Sequence, residues 1–201
     1  MRSVLRPAAL LLAIALPAVA APSAAEPSAM PLPQKWWARI VLTDAVKPGL
    51  TGDRFEITVA HLSSDEEVAG LVEILRTGNQ LAARDAMRRL EPKGFVRIGK
   101  LAAAEVTVIR VVDLPDGTRR LRIFTDFPIR LYDKSEPILS PQHPFGFLEL
   151  QVGPKGEDGT GTLIAAASLT VGDDGLRVET AAAPILNVIE VTADPAPPAR
   201  R

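Results

Sequence analysis

The chain contains few residues of the types that carry out covalent chemistry. It has two histidines, His61 and His143, and no cysteine, which excludes disulfides, thiolate metal sites and thiol catalysis. The histidines form neither a His-x-His nor a His-x-x-x-His zinc motif. A hydrolase would use one of them as a base, oriented by Asp126 or Asp133. The sequence contains no Gly-x-Ser-x-Gly nucleophile motif and no phosphate-binding loop, so no catalytic residue, metal ligand or cofactor is predicted.

Each histidine also has a structural interpretation. His61 is in phase with the apolar residues of a predicted strand over 54–62, which favours a half-buried side chain that donates to a nearby carbonyl. His143 lies between two prolines, which fix an extended backbone just before another predicted strand. The sequence therefore leaves both a structural and a chemical role open for each histidine.

The densest polar segment spans residues 125–136. Pro128 would end or bulge a strand there, so that the surrounding polar side chains project near one rim of the fold. They predict either a site for a polar ligand or a set of ion pairs. Of the adjacent Trp36 and Trp37, one should face the core, and the other should cover a barrel mouth or a partner surface. The candidate ligand-binding residues are Asp126, Arg130, Tyr132, Asp133, His143 and Trp37.

A mainly β scaffold must position these residues. Period-two alternation and runs of β-branched residues mark the strands, and Asp116-Gly117 is typical of a hairpin turn. One stretch, 65–91, predicts a pair of helices, because Ser64 and Glu67 have capping-box spacing before an apolar helical face. The predicted strands are 36–42, 54–62, 95–98, 106–112, 121–124, 145–152, 162–171, 176–180 and 185–191.

These elements predict a mainly β (α+β) fold. Eight or nine strands joined largely by hairpins, with one inserted helical pair, imply an antiparallel β-barrel or β-sandwich. The pattern does not separate the two architectures. A barrel would hide its strand edges and could enclose an apolar cavity.

The chain begins with a pattern typical of a secretory signal peptide. Residues 1–20 combine two arginines, a short apolar run and a final Ala-Val-Ala, which predicts cleavage after Ala20. A retained membrane anchor is the alternative, but the run is shorter than the roughly 20 residues that cross a bilayer, and Pro17 interrupts it. Residues 21–34 form a predicted disordered Pro/Ala leader, 35–192 the single domain, and 193–201 a disordered Pro-rich tail.

Composition narrows the function classes. The formal net charge is −1, and cleavage removes two arginines to give −3, so there is no electrostatic footprint for nucleic acid. Apolar strands without a catalytic motif favour a non-enzymatic periplasmic or secreted module that binds an apolar small molecule or an envelope protein. A hydrolase and a structural envelope subunit are the alternatives. No stable membrane insertion is expected, and the oligomeric state stays open.

Five strings together suggest a family resemblance. They cover residues 94–99, 125–130, 143–150, 159–167 and 184–189, with sequences such as TDFPIR and HPFGFLEL. The chain resembles a family of exported bacterial proteins with no assigned activity. The resemblance implies a bacterial, extracytoplasmic setting, and it implies no cofactor, activity or functional residue.

Overall fold

The computed structural model describes residues 30, 32–41, 54–131, 140–153, 159–172, 175–182 and 185–194. The predicted signal peptide, most of the leader and most of the tail lie outside this part of the chain. Two candidate site residues, Tyr132 and Asp133, also lie outside it.

The described part of the chain contains ten strands and two helices, which confirms the mainly β fold with an inserted helical pair. In chain order the elements are β1 (Gln34–Val41), β2 (Arg54–Val59), α1 (Asp65–Arg76), α2 (Gln80–Met87), β3 (Gly94–Ile98), β4 (Ala104–Val106), β5 (Val108–Asp113), β6 (Arg119–Thr125), β7 (Phe145–Val152), β8 (Gly159–Gly172), β9 (Gly175–Ala181) and β10 (Ile185–Ala193).

Nine of these strands form a nearly closed antiparallel barrel. Their order is β4-β3-β2-β1-β10-β8-β7-β6-β5, and β9 pairs with the second half of the long strand β8 outside this path. The last strand, β10, lies between β1 and β8. Of the two architectures that the sequence leaves open, the barrel is therefore the correct one.

The barrel begins and ends on one interrupted strand. Only Thr107 separates β4 from β5, yet β4 pairs with β3 while β5 pairs with β6 at the opposite end of the strand order. We call residues 104–113 the seam strand. The sequence predicts a single strand over 106–112, so the interruption at Thr107 accounts for the tenth strand.

The segment before α1 covers the free edge of β5. The Ser63 N–H donates to the Ile109 carbonyl over 2.9 Å, and the Ile109 N–H donates to the Ser63 hydroxyl over 3.1 Å. Ser63 is itself buried, so these bonds satisfy an edge that would otherwise lack partners. This half of the seam strand is therefore paired on both sides near its start.

The same segment explains why β2 ends early. The N–H groups of Ala60 and His61 both donate to the Lys93 carbonyl, over 2.8 and 2.9 Å. Two successive donors on one carbonyl break the alternation of a strand, so β2 ends at Val59 and the His61 side chain is exposed. The predicted half-buried position of His61 is wrong for this reason.

Two apolar cores hold the fold together. Inward-facing strand residues fill the barrel, and one layer crosses four strands through the register partners Trp36, Ile57, Val96 and Ala104. The second core lies outside the barrel, where α1 and α2 cover the outer face of β6, β7 and β8. Each fully buried large side chain contributes about 1.5–3 kcal/mol, so the helical pair is an integral part of the fold.

Helix α1 begins with the predicted capping box and an ion pair that ties it to the barrel. The Ser64 hydroxyl accepts from the Glu67 N–H, and the Glu67 carboxylate accepts from the Ser64 N–H. The Lys93 ammonium lies 2.7 Å from Glu67 Oε1. The hydrogen bond from Lys93 holds the pKa of Glu67 below its ordinary value, against the opposing effect of burial.

Replacing Glu67 with glutamine should therefore destabilise the protein in a pH-dependent way. Glutamine still accepts from the Ser64 N–H but leaves the Lys93 charge without its carboxylate, at a cost of about 1.5 kcal/mol near pH 7. Because the pKa of Glu67 is lower in the folded state, its stabilising effect is complete above the unfolded pKa, about 4.3, and is lost as the pH falls through the folded value. Urea unfolding at pH 7, 5 and 3 measures the difference.

The neighbouring Glu66→Gln is the matched control, because Glu66 is exposed in the same helical turn. It should change the free energy of unfolding by less than about 0.5 kcal/mol. A Glu67→Gln deficit that stays the same size from pH 7 to pH 3 would contradict the role of the ion pair.

Candidate functional site

An apolar pocket of about 310 Å³ lies along the half of the seam strand that β6 does not reach. On one side are β3, β4 and the loop between them, and on the other are Thr125 at the end of β6 and the residues that follow it. The described lining residues are Val96, Ile98, Leu101, Ala102, Ala104, Thr125, Phe127, Pro128, Ile129 and Arg130. We call this cavity the seam pocket.

Residues 126–130, which we call the crossing segment, form one wall of the pocket. The Thr125 hydroxyl accepts from the Gly146 N–H over 3.1 Å and donates to the Phe127 carbonyl, which turns the chain at the end of β6. The Ile129 N–H then donates to the Ala165 carbonyl of β8 over 2.8 Å. The Ile129 side chain packs in the barrel core, so the segment is held at both ends.

The pocket has two polar side chains among its described lining residues. Thr125 is fully buried, and its hydroxyl is engaged in the two hydrogen bonds that shape the turn. Arg130 is exposed. The described lining of the pocket is thus mainly apolar.

Asp126, at the start of the crossing segment, faces helix α2. Its carboxylate lies 2.8 Å from Nε of Arg88, and the Asp126 side chain is 13% exposed. This pair borders a second groove of about 360 Å³, lined also by Leu81 and Arg84. Of the two outcomes that the sequence predicts for this polar segment, Asp126 fits the ion pair.

His143 belongs to a network of hydroxyl groups at the turn between α1 and α2. Its Nε2 lies 3.0 Å from Thr180 Oγ1, and its Nδ1 lies 3.4 Å from Ser140 Oγ. Thr180 Oγ1 lies 2.7 Å from the hydroxyl of the buried Ser168. His143, Ser168 and Thr180 line a groove of about 600 Å³.

This network differs from the histidine–carboxylate pair that a hydrolase would need. Within the described residues, neither histidine hydrogen-bonds to a carboxylate, and Asp126 pairs with Arg88 instead. His61 is exposed beyond the end of β2. The other predicted carboxylate, Asp133, lies outside the described residues.

The two adjacent tryptophans face opposite sides of β1. The sequence predicts that one of them faces the core, and that residue is Trp36. Trp36 is 3% exposed and points into the barrel. Trp37 lies on the outer face, where its indole N–H donates to Asp194 over 2.8 Å and its ring stacks under the Arg54 guanidinium at 4.2 Å. Trp37 is not among the described lining residues of the seam pocket.

Of the described candidate residues, Arg130 alone lines the seam pocket, while Asp126, His143 and Trp37 lie elsewhere. Sequence reasoning missed the apolar lining because it comes from strand and loop residues far apart in the chain. One signal was available. The alternation of β3 predicts that Val96 and Ile98 face inward, although it does not predict that space remains beside them.

Comparison with known proteins gives no relative: no family model matches the chain, and neither a curated protein nor a solved structure matches it significantly. Over the described ranges, no group of three or more histidine, aspartate or glutamate side chains is placed to hold a metal ion. The helices in this part of the chain are too short or too polar to span a bilayer.

Gly146 allows the crossing segment to pack, and its replacement tests that packing. A Cβ at this position would lie 2.4 Å from Ile129 Cγ1 and 2.5 Å from Thr125 Oγ1. We expect Gly146→Ala to lower the free energy of unfolding by about 1–3 kcal/mol, because the well-packed core must shift to admit the methyl group. Urea unfolding provides the measurement.

Gly70→Ala in α1 is the matched control, since a Cβ there meets nothing within 4 Å. The same added methyl group should stabilise this exposed helix position by about 0.5–1 kcal/mol. If Gly146→Ala is as stable as the unmodified protein, the crossing segment is not fixed as described.

Proposed function

We propose that this protein is a non-enzymatic module that binds a small apolar ligand in the seam pocket. The observation that carries the proposal is the pocket itself, with a volume of about 310 Å³ and a mainly apolar lining. Small-molecule sites in proteins occupy about 300–1,000 Å³ and combine apolar walls with a few polar groups. The seam pocket lies at the lower end of that range.

The volume indicates the size of the ligand. A water molecule takes up about 30 Å³ in the liquid, so the pocket of about 310 Å³ has room for roughly ten non-hydrogen atoms. An alkyl chain of about eight carbons with a small polar end has this size. The apolar walls would bind such a chain by removing it from water.

The chemistry of the lining supports binding over catalysis. The one described hydroxyl in the pocket, that of Thr125, is already bonded to the backbone on both sides. The imidazole–hydroxyl network around His143 lines a separate groove. A ligand in the seam pocket would thus meet mainly apolar walls, and the described lining residues include no nucleophile paired with a base.

Tryptophan fluorescence can test this proposal directly. Trp36 belongs to the same barrel layer as Val96 and Ala104, which line the pocket, and Trp37→Phe leaves Trp36 as the sole tryptophan, which can be excited selectively at 295 nm. We expect titration of the Trp37→Phe protein with 1-octanol to give a saturable change in emission. Adding Ala104→Phe should weaken binding at least about tenfold, because the ring occupies the pocket.

The next residue provides the matched control. Ala103 is exposed and is not among the described lining residues, so Ala103→Phe should leave octanol binding within about twofold of the Trp37→Phe parent. Thermal unfolding of each variant confirms that it is folded. The proposal fails if octanol produces no saturable change, or if the two phenylalanine substitutions have the same effect.

We also propose that the protein acts outside the cytoplasm, because residues 1–20 have the pattern of a cleaved signal peptide. Intact-mass measurement of the chain, expressed with its own leader in a bacterial host, should show an extracytoplasmic product that begins at Ala21. A cytosolic product that retains residues 1–20 would contradict this localisation.

A further inference from the structure

We propose that the outer edge of β9 pairs with the same edge of a second copy of this protein, antiparallel and centred on Val178. The juxtaposition that carries it is an edge residue whose backbone groups point outward, flanked by two exposed charges of opposite sign, Arg177 and Glu179. This surface lies outside the seam pocket, so the proposal does not depend on ligand binding there.

Strand β9 has one neighbouring strand and one covered face. Across the described ranges it pairs only with the second half of β8, outside the strand order of the barrel. Leu176 and Val178 pack in the apolar core beneath the helices. Arg177 and Glu179 alternate with them and are exposed, so the other face of the strand is charged and open to solvent.

The backbone of Val178 points away from β8, and Gln80 is the reason. The Leu169 N–H donates to Gln80 Oε1 over 2.9 Å, and the Leu169 carbonyl accepts from Gln80 Nε2 over 2.7 Å. The N–H and C=O of one strand residue point to the same side, so those of Leu169 point away from β9. Its register partner Val178 therefore belongs to a non-hydrogen-bonded pair and presents its own N–H and C=O at the outer edge.

The charges of β9 lack the partners that a second neighbouring strand would supply. On the barrel, for comparison, Glu56 of β2 lies 2.8 Å from Lys35 of the adjacent β1. Neither Arg177 nor Glu179 forms an ion pair with another residue in the part of the chain that the structure describes. The edge thus carries one free charge of each sign, two residues apart.

This spacing makes the edge complementary to itself. When two antiparallel copies of β9 meet with Val178 opposite Val178, Arg177 of each copy lies opposite Glu179 of the other. The two valines exchange two backbone hydrogen bonds, and the two-fold axis between them generates two equivalent ion pairs. Opposite charges in directly facing positions stabilise a strand pair.

The charges also select this register over its neighbour. A shift that places Leu176 opposite Val178 would bring Arg177 opposite Arg177 of the second copy, and like charges in facing positions are destabilising. The contact is short, because the Thr180 N–H donates to Ser168 Oγ of β8 and is not available at the outer edge. We therefore expect a weak dimer, with a dissociation constant on the order of 0.1 mM.

Sedimentation equilibrium of the protein from about 10 μM to about 1 mM should show a reversible monomer–dimer equilibrium. Arg177→Glu and Glu179→Arg each place like charges opposite one another, so each should raise the dissociation constant at least about tenfold. The double variant with both substitutions restores opposite charges and keeps the net charge of the unmodified protein. It should dimerise within about threefold of the unmodified protein, and thermal unfolding confirms that each variant is folded.

Single cysteines test the register, because the natural chain has none. In the proposed dimer the two Val178 Cα atoms are about 5.5 Å apart, within the range that a disulfide spans. Val178→Cys should therefore form a disulfide-linked dimer under mild oxidation. Ala181→Cys is the control on the same strand, since its two copies would lie roughly 20 Å apart along the paired strands.

Three results would overturn the inference. The first is a protein that stays monomeric up to about 1 mM, which would assign the edge to another extended segment. The second is a double charge variant that dimerises as weakly as the single variants, because the charges would then not face each other. The third is equal cross-linking of Val178→Cys and Ala181→Cys, which would exclude a register centred on Val178.

Discussion

The barrel depends on how one short strand divides its backbone hydrogen bonds between two neighbours. The seam strand pairs with β3 along its first half and with β6 along its second half, so each half lacks a strand on one side. Buried backbone groups without partners are costly, and beside β5 Ser63 supplies the partners that a strand would otherwise provide. Thr107 is the position at which the pairing changes from one side to the other.

The two halves differ in what lies beside them, and the pocket lies beside β4. Beside β5, Ser63 forms reciprocal hydrogen bonds with Ile109. Beside β4, the crossing segment is bonded to β8 through Ile129 rather than to β4. Apolar side chains from both walls face the space between them. A cavity at this place therefore follows from the way the barrel closes.

Much of the fold can be predicted from local sequence patterns. Asp116-Gly117 forms the expected turn, with a φ of 81° at the glycine and a hydrogen bond from the Thr118 N–H to the Asp116 carboxylate. The capping box of Ser64 and Glu67 begins α1 where expected. In both cases the signal and the structure involve residues a few positions apart, which is why they agree.

The parts that could not be predicted depend on contacts between distant residues. The run of β-branched residues around Thr107 gives no sign of an interruption, because the interruption depends on which strands pair on each side. His61 follows the alternation of β2, but the Lys93 carbonyl, more than thirty residues away, overrides it. Arg130 was identified as a polar residue near a rim, while the apolar cavity beside it required the assembled barrel.

The position of β10 constrains when the barrel can form. This strand lies between β1 and β8, so the wall acquires one of its central members only after residues 185–193 are available. A nascent chain that ends before residue 185 would expose the open edges of two strands, and pairing across such a sequence separation is intrinsically slow.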